Sequence, residues 1–207
     1  AGINSYHSSP TFIQVLVTNN ISTLKIGSDG DAGGAYISGG SPKFYNCVIA
    51  NNHAEGFIGG VIARNTNCYF YNGIIYGNTA LVNLPYTNSN VNFFSQGLTS
   101  FNAANSILQG GGSSDYTYAS ADWTYLYGKD LGGNMDTDPM FNPDYSLMAN
   151  SPAINKGSET FYNTVSVENT DYYDNTRVVD VIDIGLSEYQ TQWSDIFYVR
   201  QDGMGDG

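Results

Sequence analysis

Two kinds of side chain in this 207-residue sequence could do chemistry: carboxylates gathered in turns, and tyrosines set in rows. Asp29 and Asp31 sit in the Gly-rich run Ser28-Asp29-Gly30-Asp31-Ala32-Gly33, where closely spaced acidic oxygens could hold Ca2+. The same spacing also serves as plain turn chemistry, since an Asp side chain accepts from backbone two residues on. A second acidic set, Asp136, Asp138, Asp171, Asp174, Asp180 and Asp183, lies towards the C-terminus with Arg177. Asp171 and Asp174 are its candidate Ca2+ ligands. The competing reading is a series of Asx-turns, with an Arg177–carboxylate pair pinning the final loops. His7 and His53 have no Ser or Cys placed to complete a triad, so no residue is assigned a catalytic role. No cofactor other than Ca2+ is implied. Tyrosine is the stronger lead: there are 17. Tyr45 and Tyr71 occupy equivalent outward places in a repeat, and Tyr76 lies near the following turn. Such a row would suit the apolar faces of sugars. The simpler alternative is that Tyr merely decorates strand surfaces, where its β-propensity is high.

The elements that must hold these residues follow from composition. Asn, Ser, Thr and Gly together make up 82 of 207 residues. All four rank low in helix interiors. With 41% apolar and 13% charged residues, the chain can bury a core and does not resemble a charge-driven disordered segment. Seven cations against 19 carboxylates give a net charge of −12. Few phosphates can be neutralised by so few cations, which excludes a nucleic-acid partner and a polybasic membrane anchor. No run is long and apolar enough to cross a bilayer, so membrane insertion is not expected. Cys47 and Cys68 are too few for a disulfide framework and read as small apolar residues.

A repeat organises the first half. Ala1–Asn20, Gly33–Asn52 and Gly59–Asn78 align as 20-residue blocks without gaps. Each carries Phe at its twelfth place (Phe12, Phe44, Phe70) and closes on Asn (Asn20, Asn52, Asn78). Asn105-Ser106-Ile107-Leu108-Gln109-Gly110 is a degenerate fourth copy. Short apolar runs bounded by Asn and Gly read as strands. Strands this short bury their inner faces only by stacking on copies of themselves, which predicts an all-β parallel β-helix. The Phe column and the Val17/Ile49/Ile75/Leu108 column should face inward. The amide column Gln14/Asn46/Asn72/Asn105 should mark a corner and ladder along the axis. Leu16, Val48, Ile74 and Ile107 should face outward, an apolar stripe that needs a cover. The excursion Leu81–Ser100, with Phe93 and Phe94, is the favoured cover over another chain.

Regular coils are expected over 1–110 with an inserted loop near 81–100. Irregular coils and a closing strand follow over 111–190, then a linker and the start of a further module over 191–207. The later motifs are Asp136-Thr137-Asp138-Pro139-Met140-Phe141, Ser151-Pro152-Ala153-Ile154-Asn155-Lys156-Gly157, Asp171-Tyr172-Tyr173-Asp174-Asn175-Thr176-Arg177 and Asp183-Ile184-Gly185-Leu186-Ser187-Glu188. Their order resembles the C-terminal portion of secreted bacterial right-handed parallel β-helix repeat proteins of the polymorphic-membrane-protein and pectate-lyase-like class. Tyr173-Asp174-Asn175 departs from that family's acid-Gly step, and Leu186-Ser187 from its Ala-Tyr. The resemblance implies a right-handed β-helix lacking its N-terminal cap, at the surface of a Gram-negative bacterium or outside it. Ile196–Gly207 resembles the opening strand of such a domain, so neighbouring modules of the same parent chain are the expected partners. Three functions follow as expectations: an adhesion or surface module with glycan binding through the Tyr row, a polysaccharide lyase or glycoside hydrolase, and a self-associating filament unit. The lyase or hydrolase would need clustered carboxylates with a base, which the repeated strands do not supply.

Overall fold

The computed structural model describes residues 1–23, 32–56, 58–81, 93–96 (backbone alone), 100–111, 129–165 and 169–190. Four parallel sheets carry nearly all the regular structure. The first holds β1 (Ile3–Tyr6), β5 (Ala35–Ser38), β9 (Val61–Arg64) and β13 (Phe93–Gln96). The second holds β2 (Thr11–Ile13), β6 (Lys43–Tyr45), β10 (Asn67–Tyr71), β14 (Ser100–Ala104) and β16 (Lys129–Asp130). β3 (Leu16–Thr18), β7 (Val48–Ala50), β11 (Ile74–Tyr76) and β15 (Ile107–Leu108) form the third. The fourth is β4 (Ile21–Ser22), β8 (His53–Ala54) and β12 (Thr79–Ala80). Each of the first three passes of the chain lays one strand on each sheet in turn, a rung, and a fourth adds β13, β14 and β15 to the first three sheets, in an arrangement consistent with a β-helix or solenoid-like class.

Register follows the sequence alignment residue for residue. Phe12 pairs with Phe44 and Phe44 with Phe70, Leu16 with Val48 and Val48 with Ile74. The predicted inward columns form one buried cluster, including Val17, Phe44, Cys47, Ile49, Phe70, Ile75 and Leu108. Ring centroids of Phe12 and Phe44 lie 4.6 Å apart, and those of Phe44 and Phe70 5.9 Å. The fourth rung swaps sizes. Ala103 lies beside Phe70 and Phe101 beside Cys68, so Phe101 continues the aromatic file from two places earlier. Both cysteines are free and buried, as expected.

Three corners per rung are made by left-handed backbone, which Asn and Gly adopt most cheaply. His7, Gly39 and Asn65 turn the chain after the first sheet. Gln14, Asn46, Asn72 and Asn105 turn it after the second, at φ between 46° and 52°. Asn19, Asn51, Gly77 and Gly110 turn it after the third. The repeat also outlasts its visible sequence signature. β16 pairs with β14, and Met135 bridges to Ile107, so a partial fifth rung spans 129–136. Beyond it, the described residues of 138–165 and 169–190 hold little regular structure besides one helical turn, α1 (Glu159–Tyr162).

Candidate functional site

The functional candidates converge on the outer faces of the second and third sheets and the corner between them. The corner amides do not ladder with one another as expected. They point off the corner and hold the C-terminal segment. Gln14 Nε2 donates to the Thr170 carbonyl at 2.9 Å, and Asn46 Nδ2 donates to the Asp183 and Gly185 carbonyls. Asn72 donates to the Ser158 carbonyl and accepts from its N–H, at 2.9 and 2.8 Å, and Asn105 reaches the Lys156 carbonyl. The axial amide ladder exists, but in the closing column. Asn20 Nδ2 donates to Asn52 Oδ1 at 2.8 Å, and Asn52 Nδ2 to Asn78 Oδ1 at 2.9 Å. Each of those oxygens also accepts the backbone N–H of the previous rung's Asn, at 3.0 Å.

The outward apolar stripe is covered by that C-terminal segment. Val48, Ala50, Ile74 and Ile107 are buried with Leu147, Ala153, Ile184 and Leu186, with Leu16, Met135 and Phe141 at the margin. Within the excursion, residues 82–92 and 97–99 lie outside the described residues, and Phe93–Gln96 joins the first sheet. Burying aliphatic side chains of this size removes about 1.5–3 kcal/mol of unfavourable hydration for each, so the strap and the stripe stabilise one another.

One ion cluster fastens the strap. Arg177 is 1% exposed. Its Nη2 donates to the Asp183 and Gly185 carbonyls, its Nη1 lies 3.6 Å from Glu188 Oε2, and its guanidinium sits over the Tyr162 ring. Glu188, absent from the acidic set named from sequence, is the carboxylate partner. It accepts the N–H of Val179 and of Asp183. Asp183 accepts from Asn155 and Tyr189, and Asp171 from Tyr173, Asn175 and Glu188. Burial pushes the Glu188 carboxyl up to about 7, with the Asp183 charge adding to it and Arg177 and two backbone donors opposing it. The Asp183 carboxyl is raised for the same first reason.

This geometry places the predicted ligand residues as follows. Both oxygens of Asp171 already accept backbone N–H groups, while Asp174 is exposed at a left-handed turn. Asp29 and Asp31 lie outside the described residues. Among the described residues, no group of three or more His, Cys, Asp or Glu side chains is placed to hold a metal ion. His53 Nδ1 is 2.9 Å from the Thr79 hydroxyl, and His7 packs edge-on against Tyr6.

Tyr45 and Tyr71 do stack on adjacent rungs, with centroids 5.3 Å apart. The row does not face water as expected. Tyr45 is 5% exposed, and Phe161 of α1 lies flat on Tyr71 at 4.2 Å with 5° between the rings. Tyr76 is half-buried at the strap margin, where burial raises its hydroxyl's pKa and the Asp138 charge adds to the shift. The half-exposed aromatic surface is shifted sideways, to Tyr69, Tyr71 and Phe161, with Tyr69 5.9 Å from Tyr71. Tyr69 shares the parity of Tyr71 in the run Cys68-Tyr69-Phe70-Tyr71, so strand alternation alone could have placed it outward. Phe161 carries no such signal, because its place depends on the strap. No family model, curated protein or solved structure matches this chain.

Proposed function

We propose that the chain is a module of a larger extracellular or cell-surface protein, built as a right-handed parallel β-helix and acting in adhesion or surface structure. The observation that carries this reading is the stacking of like residues on successive rungs under a fastened strap. It makes a stiff rod with broad, weakly charged faces, and a rod of this kind presents an extended surface better than it encloses a reaction. The order of C-terminal motifs supports membership of the secreted bacterial β-helix repeat class and a Gram-negative source. Glycan binding is assigned to the aromatic surface, with Tyr69, Tyr71 and Phe161 taking the place first given to Tyr45 and Tyr71. The filament reading relied on an open apolar stripe, and that stripe is filled by Leu147, Ala153, Ile184 and Leu186.

Two measurements test the proposal. Antibody against this chain should label intact cells of its native source, and labelling that needs permeabilised cells contradicts a surface location. On a glycan array, the wild-type chain should give signals that fall in a Tyr69→Ala variant. Equal signals from the two proteins contradict the assigned surface.

A further inference from the structure

Arg177 sits where the strap crosses the corner after the second sheet, and its hydrogen bonding is incomplete. Nη2 alone has acceptors, the Asp183 and Gly185 carbonyls at 3.1 and 3.0 Å. Asn46 Nδ2 donates to the same two carbonyls at 3.3 and 3.2 Å, so the corner amide and the guanidinium share one pair of acceptors. Glu188, Asp183 and Asp171 surround the cation, yet their oxygens are turned to backbone N–H groups. Glu188 accepts from Val179 and Asp183, Asp183 from Asn155 and Tyr189, and Asp171 from Tyr173, Asn175 and Glu188. Arg177 Nη1 stands 3.6 Å from Glu188 Oε2, beyond hydrogen-bond length. Arg177 Nε and Nη1, Asn46 Oδ1 and Ser187 Oγ are all buried without a hydrogen-bond partner among the described residues. Their residues are 1%, 0% and 3% exposed in turn.

We propose that ordered water binds in this junction, accepting from Arg177 Nε and Nη1 and joining Nη1 to Glu188 Oε2. Asn46 Oδ1 and Ser187 Oγ take their partners from the same water. A buried guanidinium with idle N–H groups is strongly unfavourable, because each group has given up its hydration without replacement. Polar groups of this kind hold internal water, which makes about three hydrogen bonds where it is bound. A charge pair just beyond direct contact is closed by a bridging molecule. Two observations select water over a small anion. One cation already faces three carboxylates, so a further negative charge is repelled. Asn46 Oδ1 needs a donor, which chloride does not supply, whereas water both donates and accepts. The Tyr162 ring lies over the guanidinium, 5.7 Å from Cζ, so the water is bound at the cation's edge. The strap is then docked by a wet polar seam beside the dry contact of Val48 and Ile74 with Ile184 and Leu186, and Glu188 has a proton donor inside the fold.

The test reads the Arg177 Nε–H directly by nuclear magnetic resonance. In protein isotope-labelled at its three arginines, Arg64→Lys and Arg200→Lys variants assign the signals by elimination. Cross-relaxation with water is then compared in the laboratory and rotating frames. A bound water gives opposite signs in the two, and proton exchange gives the same sign in both. The expected result is an opposite-signed water signal at Arg177 Nε–H in wild type. It should persist in Ser187→Ala, because Arg177 and Glu188 still hold the water. A signal that vanishes in Ser187→Ala overturns the proposal, since the hydroxyl then relayed it. An Nε–H without a water signal shows a dry junction, and one that exchanges as fast as in free arginine shows a junction open to bulk; either result overturns the proposal. Crystals soaked in bromide report the competing ligand. An anomalous peak beside Arg177 replaces water with an anion and overturns the proposal, whereas water density there with no such peak supports it. Arg177 and Glu188 stay unaltered throughout, so no outcome depends on a variant that has lost the ion cluster.

Discussion

A methyl group added at Gly73 would lie 2.4 Å from Cε1 of the Phe70 ring. The absence of a side chain there is what lets the ring lean across the corner and continue the aromatic file. Gly73→Ala should therefore destabilise by about 1–3 kcal/mol through overpacking. Adding Phe70→Leu should return part of that loss, so the two changes should couple in a chemical-denaturation cycle. Additive effects would show that the ring does not occupy that space. Asn52 is the central link of the amide ladder, giving hydrogen bonds to the Val17 carbonyl and Asn78 and taking two from Asn20. Asn52→Ala strands buried partners on both sides and should cost about 3 kcal/mol. Asn20→Ala, at the half-buried end of the ladder, should cost clearly less by the same measurement. Burial pushes the Cys47 thiol up to about 12 and raises Cys68 further. Neither should react with a thiol reagent at pH 8 until denaturant opens the core. At this scale the sequence is highly legible. Equal spacing put Phe over Phe and Asn over Asn, because a repeating backbone forces equivalent residues into equivalent surroundings. It could not tell which Asn column ladders and which reaches outward, since both sit at corners with the same side chain and differ in what packs against them.

The strap is the element whose stability depends on pH. Arg177 is ringed by Glu188, Asp183 and Asp171, one buried cation among three carboxylates, with the Tyr162 ring against it. A carboxyl raised on folding binds more protons in the folded state than in the unfolded state between its two pKa values. For Glu188 that window runs from its ordinary value of 4.5 to about 7. Its contribution is fully present below the window and is lost as pH rises through it. The melting temperature should therefore fall between pH 5 and pH 8, and Glu188→Gln should flatten that fall. An unchanged slope in the variant would move the effect to another group. Arg177→Met removes the sole cation of the cluster and should destabilise by about 3–5 kcal/mol, the cost of leaving buried charge unpaired. The damage should be greater at pH 8 than at pH 5. The strap's motifs were visible from Asp136 to Glu188, and so was the stripe that needed a cover. Their pairing was not visible, because irregular backbone offers no period to read, and the contacts join residues as far apart as Asn46 and Gly185. That is also why Tyr45 was expected in the open: strand alternation turns it outward, and only the strap's location shows that it is covered.

At the scale of the whole molecule, the account reduces to one arrangement. Four sheets grow in parallel, each of the first three rungs adding one strand to every sheet, and the strap runs over the outside of the third. Whatever binds along the second sheet then meets a surface whose spacing is set by hydrogen bonds between rungs, not by loops. This makes the aromatic file the most informative place to look. Nuclear Overhauser spectra on protein labelled only in its phenylalanine rings report which rings touch, and Phe→Leu variants assign them. The arrangement predicts ring-to-ring contacts for Phe12 with Phe44, Phe44 with Phe70, and Phe70 with Phe101, and none between Phe12 and Phe70. Absence of the sequential contacts, or a direct Phe12–Phe70 contact, would contradict the stacking of equivalent residues on which the fold and the proposed binding face both depend.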